Sequence, residues 1–250
     1  MDFVDGALRS NEWPATLAWM RAAVLDAAAV LAPTDCSGCG AADRALCSSC
    51  VAALRADVAL VDAGGPRSTD GRLDVFCALR YAGVARHVLL AMKETGRTDA
   101  APTLAHALSQ ALGAALTAVT ARGELGDDIR GSPGGVEIAT IPSTRSAYRA
   151  RGYHPTALVL AHAGVRASRA LRAARQTADQ ASLGSAERTA NREGSLAAVR
   201  RLDGRCFVVV DDIVTTGATL REARRAITEA GGRVLCAVAL ANTALLRTGR

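Results

Sequence analysis

The stretch that most restricts the fold of this chain is residues 206–220, CFVVVDDIVTTGATL. A β-branched apolar run over 207–210 ends in two carboxylates, then passes through a threonine and glycine turn into a segment of helical spacing. So short an apolar run, rich in valine and bounded by turn chemistry, predicts a strand buried on both faces of a parallel sheet. Leu220, Ala223, Ala226, Ile227 and Ala230 mark the apolar face of a helix over 220–230. The turn therefore opens a helix amino terminus, where unpaired N–H groups, the helix dipole and threonine hydroxyls suit a phosphate dianion. Asp211 and Asp212 are expected at the carboxyl end of the strand, the edge that borders the ligand crevice of an open α/β sheet. Gly217 is expected to let the backbone approach the phosphate closely.

A second pattern lies near the amino terminus. Cys36 and Cys39 form one CxxC knuckle, and Cys47 and Cys50 form another after seven residues. Four thiolates so spaced can be presented tetrahedrally to one Zn²⁺, with Gly38 and Gly40 relieving the tight turns; reduced surface thiols or a redox pair are the alternative. No histidine or acid completes the set, so the site reads as closed and structural. The other three cysteines, Cys77, Cys206 and Cys236, stand in apolar strand-like settings and read as core.

Between these patterns the chain is legible in pieces. Residues 13–31 are apolar at helical spacing and read as a packing helix, and 63–71 read as a linker by their glycine, proline and serine content. Strands are predicted over 73–81, 136–141 and 233–240, and helices over 84–94 and 102–121. Lys93 reads first as a solvated helix-end cation and second as a phosphate contact. Arg145, Arg149 and Arg151 follow a strand end and are candidates for a second anion pocket, whereas 166–175 read as a solvated basic face. Residues 125–135 read as a loop. The polar stretch 176–196 is either an insert or a lid, in which Arg188 and Asn191 could offer donors to a phosphate. These elements give an organisation of 1–62 as an amino-terminal helix and zinc module, 63–72 as linker and 73–250 as the main α/β domain.

Composition narrows the partners. The formal charge of +6 favours polyanionic ligands, while an aromatic content of 3% provides few stacking platforms for single-stranded nucleic acid. The apolar run 13–31 is interrupted by Arg21 and Asp26, and acidic residues precede it, so a soluble cytosolic protein is expected. The chain has no GxxxxGK[ST] sequence, which argues against a P-loop nucleotidase.

The motif VVVDDIVTTGAT resembles the phosphoribosyl pyrophosphate (PRPP) motif of type I phosphoribosyltransferases. The paired CxxC knuckles, Tyr81-x-Gly83, Arg151-Gly152-Tyr153, Gln180-x-x-Leu183, Arg188-x-x-Asn191 and that motif, in this order, are similar to the ComF family of competence-associated proteins. The resemblance covers roughly residues 33–242. It implies an α/β fold: a type I phosphoribosyltransferase-like parallel sheet flanked by helices, with a small hood, an N-terminal helix and a four-cysteine zinc ribbon. It also implies Asp211 and Asp212 as catalytic residues on the ribose hydroxyls. Thr215, Thr216, Gly217, Ala218 and Thr219 would hold the 5′-phosphate, Arg145, Arg149, Arg151 and Arg188 would face pyrophosphate, and Mg²⁺ would accompany PRPP. Where the family continues Arg-Gly-Phe-Asn-Gln, this chain has Arg151-Gly152-Tyr153-His154-Pro155. His154 reads as a capping or surface residue, with a catalytic acid as the alternative.

Three functions follow. One is a phosphoribosyltransferase acting on a nitrogen nucleophile. Another is a PRPP- or nucleotide-binding accessory protein of DNA uptake or recombination, with competence proteins and single-stranded DNA as partners. The third, a zinc-dependent nucleic-acid module, is disfavoured because 36–50 encloses only Arg44 as a base.

Overall fold

The computed structural model describes residues 34–42, 44–63, 71–124, 135–174 and 194–243. The expected helix over 13–31, nearly all of the linker and of the 125–135 loop, and Arg188 and Asn191 with most of 176–196 lie outside these residues.

A valine-rich strand buried on both faces needs neighbours on both edges and cover above and below, and this strand has them. It is β6 (Cys206–Val214), in a five-stranded sheet ordered β1-β2-β7-β6-β3. The others are β1 (Ala59–Asp62), β2 (Asp74–Arg80), β3 (Val136–Thr140) and β7 (Arg233–Asn242). All pairings are parallel except β1 with β2. The first strand thus comes from residues upstream of 63–72.

Alternation along the strands divides the core in two. Cys206, Val208 and Val210 of β6, with Cys236, Val238 and Leu240 of β7, face one layer. That layer holds α2 (Gly83–Leu90), α3 (Ala101–Ala121) and α5 (Pro155–His162). Phe207 and Val209, with Ala237 and Ala239, face the opposite layer, built on Leu220, Ala223, Ala226 and Ile227 of α6 (Ala218–Glu229). The sheet is therefore covered on both sides, as the unbroken apolar runs of β6 and β7 require. By length and composition α3 could cross a membrane, a candidate that the sequence reading missed; its buried stripe of Leu104, Leu108, Ala111 and Ala115 packs on the sheet.

Three smaller elements lie outside these layers. They are α1 (Ser48–Ala53), α4 (Arg145–Arg151), and a two-stranded antiparallel hairpin of β4 (Leu171–Ala173) and β5 (Leu196–Ala198). Glu222 and Arg225 of α6 hold that hairpin: the Leu196 N–H donates to Glu222 Oε1 at 2.9 Å, and Arg225 donates to the Leu196 carbonyl at 2.9 Å. The three cysteines read as core are buried, and burial pushes the Cys77 and Cys236 thiols up to about 12.

Candidate functional site

The acidic pair does not end its strand. β6 runs four residues beyond Val210, but its neighbour β3 stops at Thr140, opposite Val210, so Asp211 to Val214 pair with β7 alone. The crevice opens because one strand outlasts its neighbour. Thr140, Ile141, Pro142, Ser143, His154, Asp211 and Asp212 line a cavity there of about 130 Å³. Each carboxylate is fixed by the next backbone amide: the Asp212 N–H donates to Asp211 Oδ1 at 2.8 Å, and the Ile213 N–H to Asp212 Oδ1 at 2.7 Å. Such charge-assisted bonds hold the oxygens in place before any ligand arrives.

After Val214 the chain turns through exposed Thr215 and Thr216 and enters α6 at Gly217, with Ala218 and Thr219 in its first turn. Gly217 has φ +71°, and a Cβ there would lie 2.5 Å from the Ala63 Cβ. Its closest neighbour is thus Ala63, just past the end of β1, so the close approach that this position requires in the structure is to that residue. Arg221 fastens the same contact by donating to the carbonyls of Ala63 at 2.6 Å and Thr216 at 2.9 Å.

Lys93 is where the sequence reading went astray. It is not simply a solvated helix-end cation: its Nζ lies 2.9 Å from Asp212 Oδ1. It sits in a π-helical turn, Ala91–Thr95, that continues α2 and ends at Gly96 with φ +73°. Widening a helix to π geometry alters which carbonyls its own amides reach. Here the Met92 carbonyl accepts from the Tyr153 hydroxyl at 2.5 Å, and the Lys93 carbonyl accepts from Arg151 Nη1 at 3.2 Å. Arg151-Gly152-Tyr153 therefore grips the turn that presents Lys93 to Asp212. A signal for Lys93 was in the composition: among 30 basic residues it is the sole lysine.

The remaining predicted residues separate. Arg149 is exposed on α4, Arg145 opens that helix, and Arg151 carries a buried Nε with no hydrogen-bond partner, a donor suited to an anionic oxygen. Arg166, Arg169 and Arg172 are exposed, as a solvated face requires. His154 occupies the N-cap position of α5, yet its side chain makes no capping bond; it stacks on Tyr148 with ring centroids 4.8 Å apart. Burial, then the charges of Arg151 and Arg169, hold its imidazole below the ordinary histidine range. The crevice is thus lined by a ring biased toward neutrality. A larger groove of about 1200 Å³ adjoins it along the β3 edge and shares Thr140, Pro142, His154 and Ala157.

The four cysteines converge. The Sγ atoms of Cys36, Cys39, Cys47 and Cys50 all lie within 4.8 Å of one another, with Cys39 and Cys47 at 3.7 Å. Tetrahedral Zn²⁺ with bonds of about 2.3 Å sets its sulfurs about 3.8 Å apart, so the set fits that ion. Against the upward push of burial, the N–H groups of Cys47, Cys39 and Gly38 bring the Cys36 thiol down to about 6, whereas burial and its thiol neighbours push Cys50 up. Four thiols this crowded favour a dication that neutralises them together. Gly38 has no room for a side chain, since a Cβ would lie 2.6 Å from Cys50 Sγ.

With this geometry in place, comparison with known families is specific. Residues 145–247 match the phosphoribosyl transferase domain. No curated protein matches the chain. The matched domain takes in α4, α5, the hairpin, β6, α6 and β7, and with them Asp211, Asp212 and the threonine turn. Lys93 and the four cysteines lie outside it. The chain is thus a mixed, mostly parallel sheet flanked by helices, carrying a phosphoribosyl transferase domain behind a four-cysteine cluster that suits structural zinc.

Proposed function

We propose that this chain is a ComF-like protein that binds PRPP, or a related ribose 5-phosphate ligand, with Mg²⁺. The observation that carries this reading is the pair of fixed carboxylates at the crevice, followed directly by the threonine turn that opens α6, all inside the matched domain. Asp211 and Asp212 accept the ribose 2′ and 3′ hydroxyls, and residues Thr215, Thr216, Gly217, Ala218 and Thr219 take the 5′-phosphate on backbone N–H groups and hydroxyls. Arg145, Arg149, Arg151 and Arg188 are assigned to pyrophosphate. The unpartnered Arg151 Nε and the carboxylate oxygens fit an anion with its metal. Mg²⁺, when bound, neutralises the leaving group. In the transfer, the bond from the anomeric carbon to pyrophosphate breaks, a bond to nitrogen forms and the nitrogen loses its proton. The carboxylates stabilise the positive charge that develops on the sugar.

A second reading, binding without transfer in an accessory protein of DNA uptake or recombination, is favoured by one observation. His154 and Pro155 stand where the ComF pattern has two amide side chains, and both line the crevice. In that reading competence proteins and single-stranded DNA are the partners. Both readings keep the division into 1–62, 63–72 and 73–250, a cytosolic location and a structural zinc.

Calorimetric titration of PRPP with Mg²⁺ into the wild type and an Asp211→Asn, Asp212→Asn variant tests the proposal. Binding by the wild type and its loss in the variant are expected; no wild-type binding would sink both readings. Pyrophosphate release over a panel of nitrogenous bases then separates transfer from binding alone.

A further inference from the structure

Two adjacent carboxylates form a poor mouth for a phosphorylated sugar. Asp211 and Asp212 sit one residue apart on β6, and like charges repel an incoming dianion wherever the local dielectric is below that of water. The chain places an ammonium against Asp212. Lys93 Nζ is 2.9 Å from Asp212 Oδ1, with the side chains 29% and 18% exposed, so salt screens this pair less than it screens a surface pair.

That ammonium is chosen against the grain of the composition. Every other basic side chain of the 30 is arginine. Arginine spreads its charge over a planar fork, whereas lysine ends in a compact point charge that approaches one oxygen and leaves its partner's second oxygen to others. The surroundings are built to the same end. The turn Ala91–Thr95 is clamped by Tyr153 at the Met92 carbonyl and by Arg151 at the Lys93 carbonyl, so the backbone that carries the ammonium is held by the crevice's own Arg151-Gly152-Tyr153 segment.

We propose that Lys93 is the resident cation of Asp212: its ammonium there offsets one of the two negative charges at the mouth of the crevice, so that a ribose 5-phosphate group is accepted without a divalent ion. This rests on the sugar-phosphate reading above and deepens it. The requirement for Mg²⁺ then belongs to the pyrophosphate end of a ligand alone. Lys93 is a positioning residue, acting on the ligand through Asp212.

Ribose 5-phosphate, which has no pyrophosphate, isolates the effect. Titrated in EDTA, the wild type is expected to bind it, and Lys93→Met to bind it about tenfold more weakly, with Mg²⁺ restoring most of the loss by supplying the missing charge. Lys93→Arg is expected between the two. A Lys93→Met protein that binds as the wild type does in EDTA overturns the inference, and so does a loss that Mg²⁺ fails to repair, which would mark a structural role. Wild type that binds neither ribose 5-phosphate nor PRPP under any condition overturns the phosphoribosyl reading itself. A second measurement needs no variant. Because Lys93 bears the only side-chain amine, acylating the folded wild type and mapping the adduct by mass spectrometry modifies one interior position; ribose 5-phosphate affinity in EDTA should fall with its occupancy. Full affinity at complete acylation of Lys93 also overturns the inference.

Discussion

His87 on α2 stands with Nδ1 2.9 Å from the Gly38 carbonyl oxygen, which can only accept, so the ring carries its proton on that nitrogen. Gly38 lies inside the first cysteine knuckle, and α2 continues into the turn that bears Lys93. Arg97, just past that turn, donates to the carbonyl of Ala45 at 3.2 Å. The cysteine cluster therefore rests on both ends of the segment that reaches the acidic pair.

Metal removal should accordingly be felt at a distance. About one equivalent of zinc is expected per chain, lost in a Cys36→Ser, Cys39→Ser variant. Hydrogen exchange should then rise across residues 83–97, with β6 unchanged. Loss of zinc with no change in exchange over 83–97 would show that the cluster does not brace the Lys93 turn.

Tyr153→Phe removes the donor to the Met92 carbonyl and nothing else of its shape. A cost of about 1 kcal/mol is expected in urea denaturation, the usual net worth of such a bond. Exchange of the amides around Lys93 should rise with it.

Gly217→Ala meets two obstacles, a positive φ and the Ala63 backbone 3.0 Å from the new Cβ. Left-handed backbone costs a residue with a side chain about 1–2 kcal/mol, and overpacking adds about 1–3 kcal/mol. Urea denaturation should show a loss of about 2 kcal/mol or more, and an unchanged midpoint would mean that β1 moves aside freely.

His154 supplies the pH dependence. Its folded form is held below the ordinary histidine range by burial and by Arg151 and Arg169, so the unfolded chain binds the proton more readily. Stability from this residue is fully present above the unfolded histidine pKa of about 6.5 and is lost as pH falls through the depressed folded value. His154→Gln should flatten the decline of the urea midpoint over that acidic window, and equal slopes for the two proteins would count against the assignment.

The parts of the fold legible in the sequence are those whose cause is local. The apolar run into Asp211 and Asp212, the glycine that starts α6 and the CxxC spacing each depend on neighbours a few residues away, so period and turn chemistry report them directly. The stripe Leu220, Ala223, Ala226 and Ile227 is buried as its spacing requires. Legibility failed where the cause is remote. Ala59–Asp62 is too short to announce a strand, and becomes one because β2 offers an open edge. The π turn Ala91–Thr95 reads in sequence as more helix, and Met92 accepts its stabilising bond from a residue 61 positions away.

What the sequence determined by itself, then, is the central strands of the sheet, the threonine turn that opens α6 and the cysteine set, because backbone sterics and hydrophobic period act over one or two turns of chain. What only the tertiary structure decided is that Asp212 has a cation beside it. The ion pair of Lys93 and Asp212 exists because α2 packs on the sheet face to which Asp212 is turned, and no local pattern encodes which two distant charges a folded core will bring within 2.9 Å.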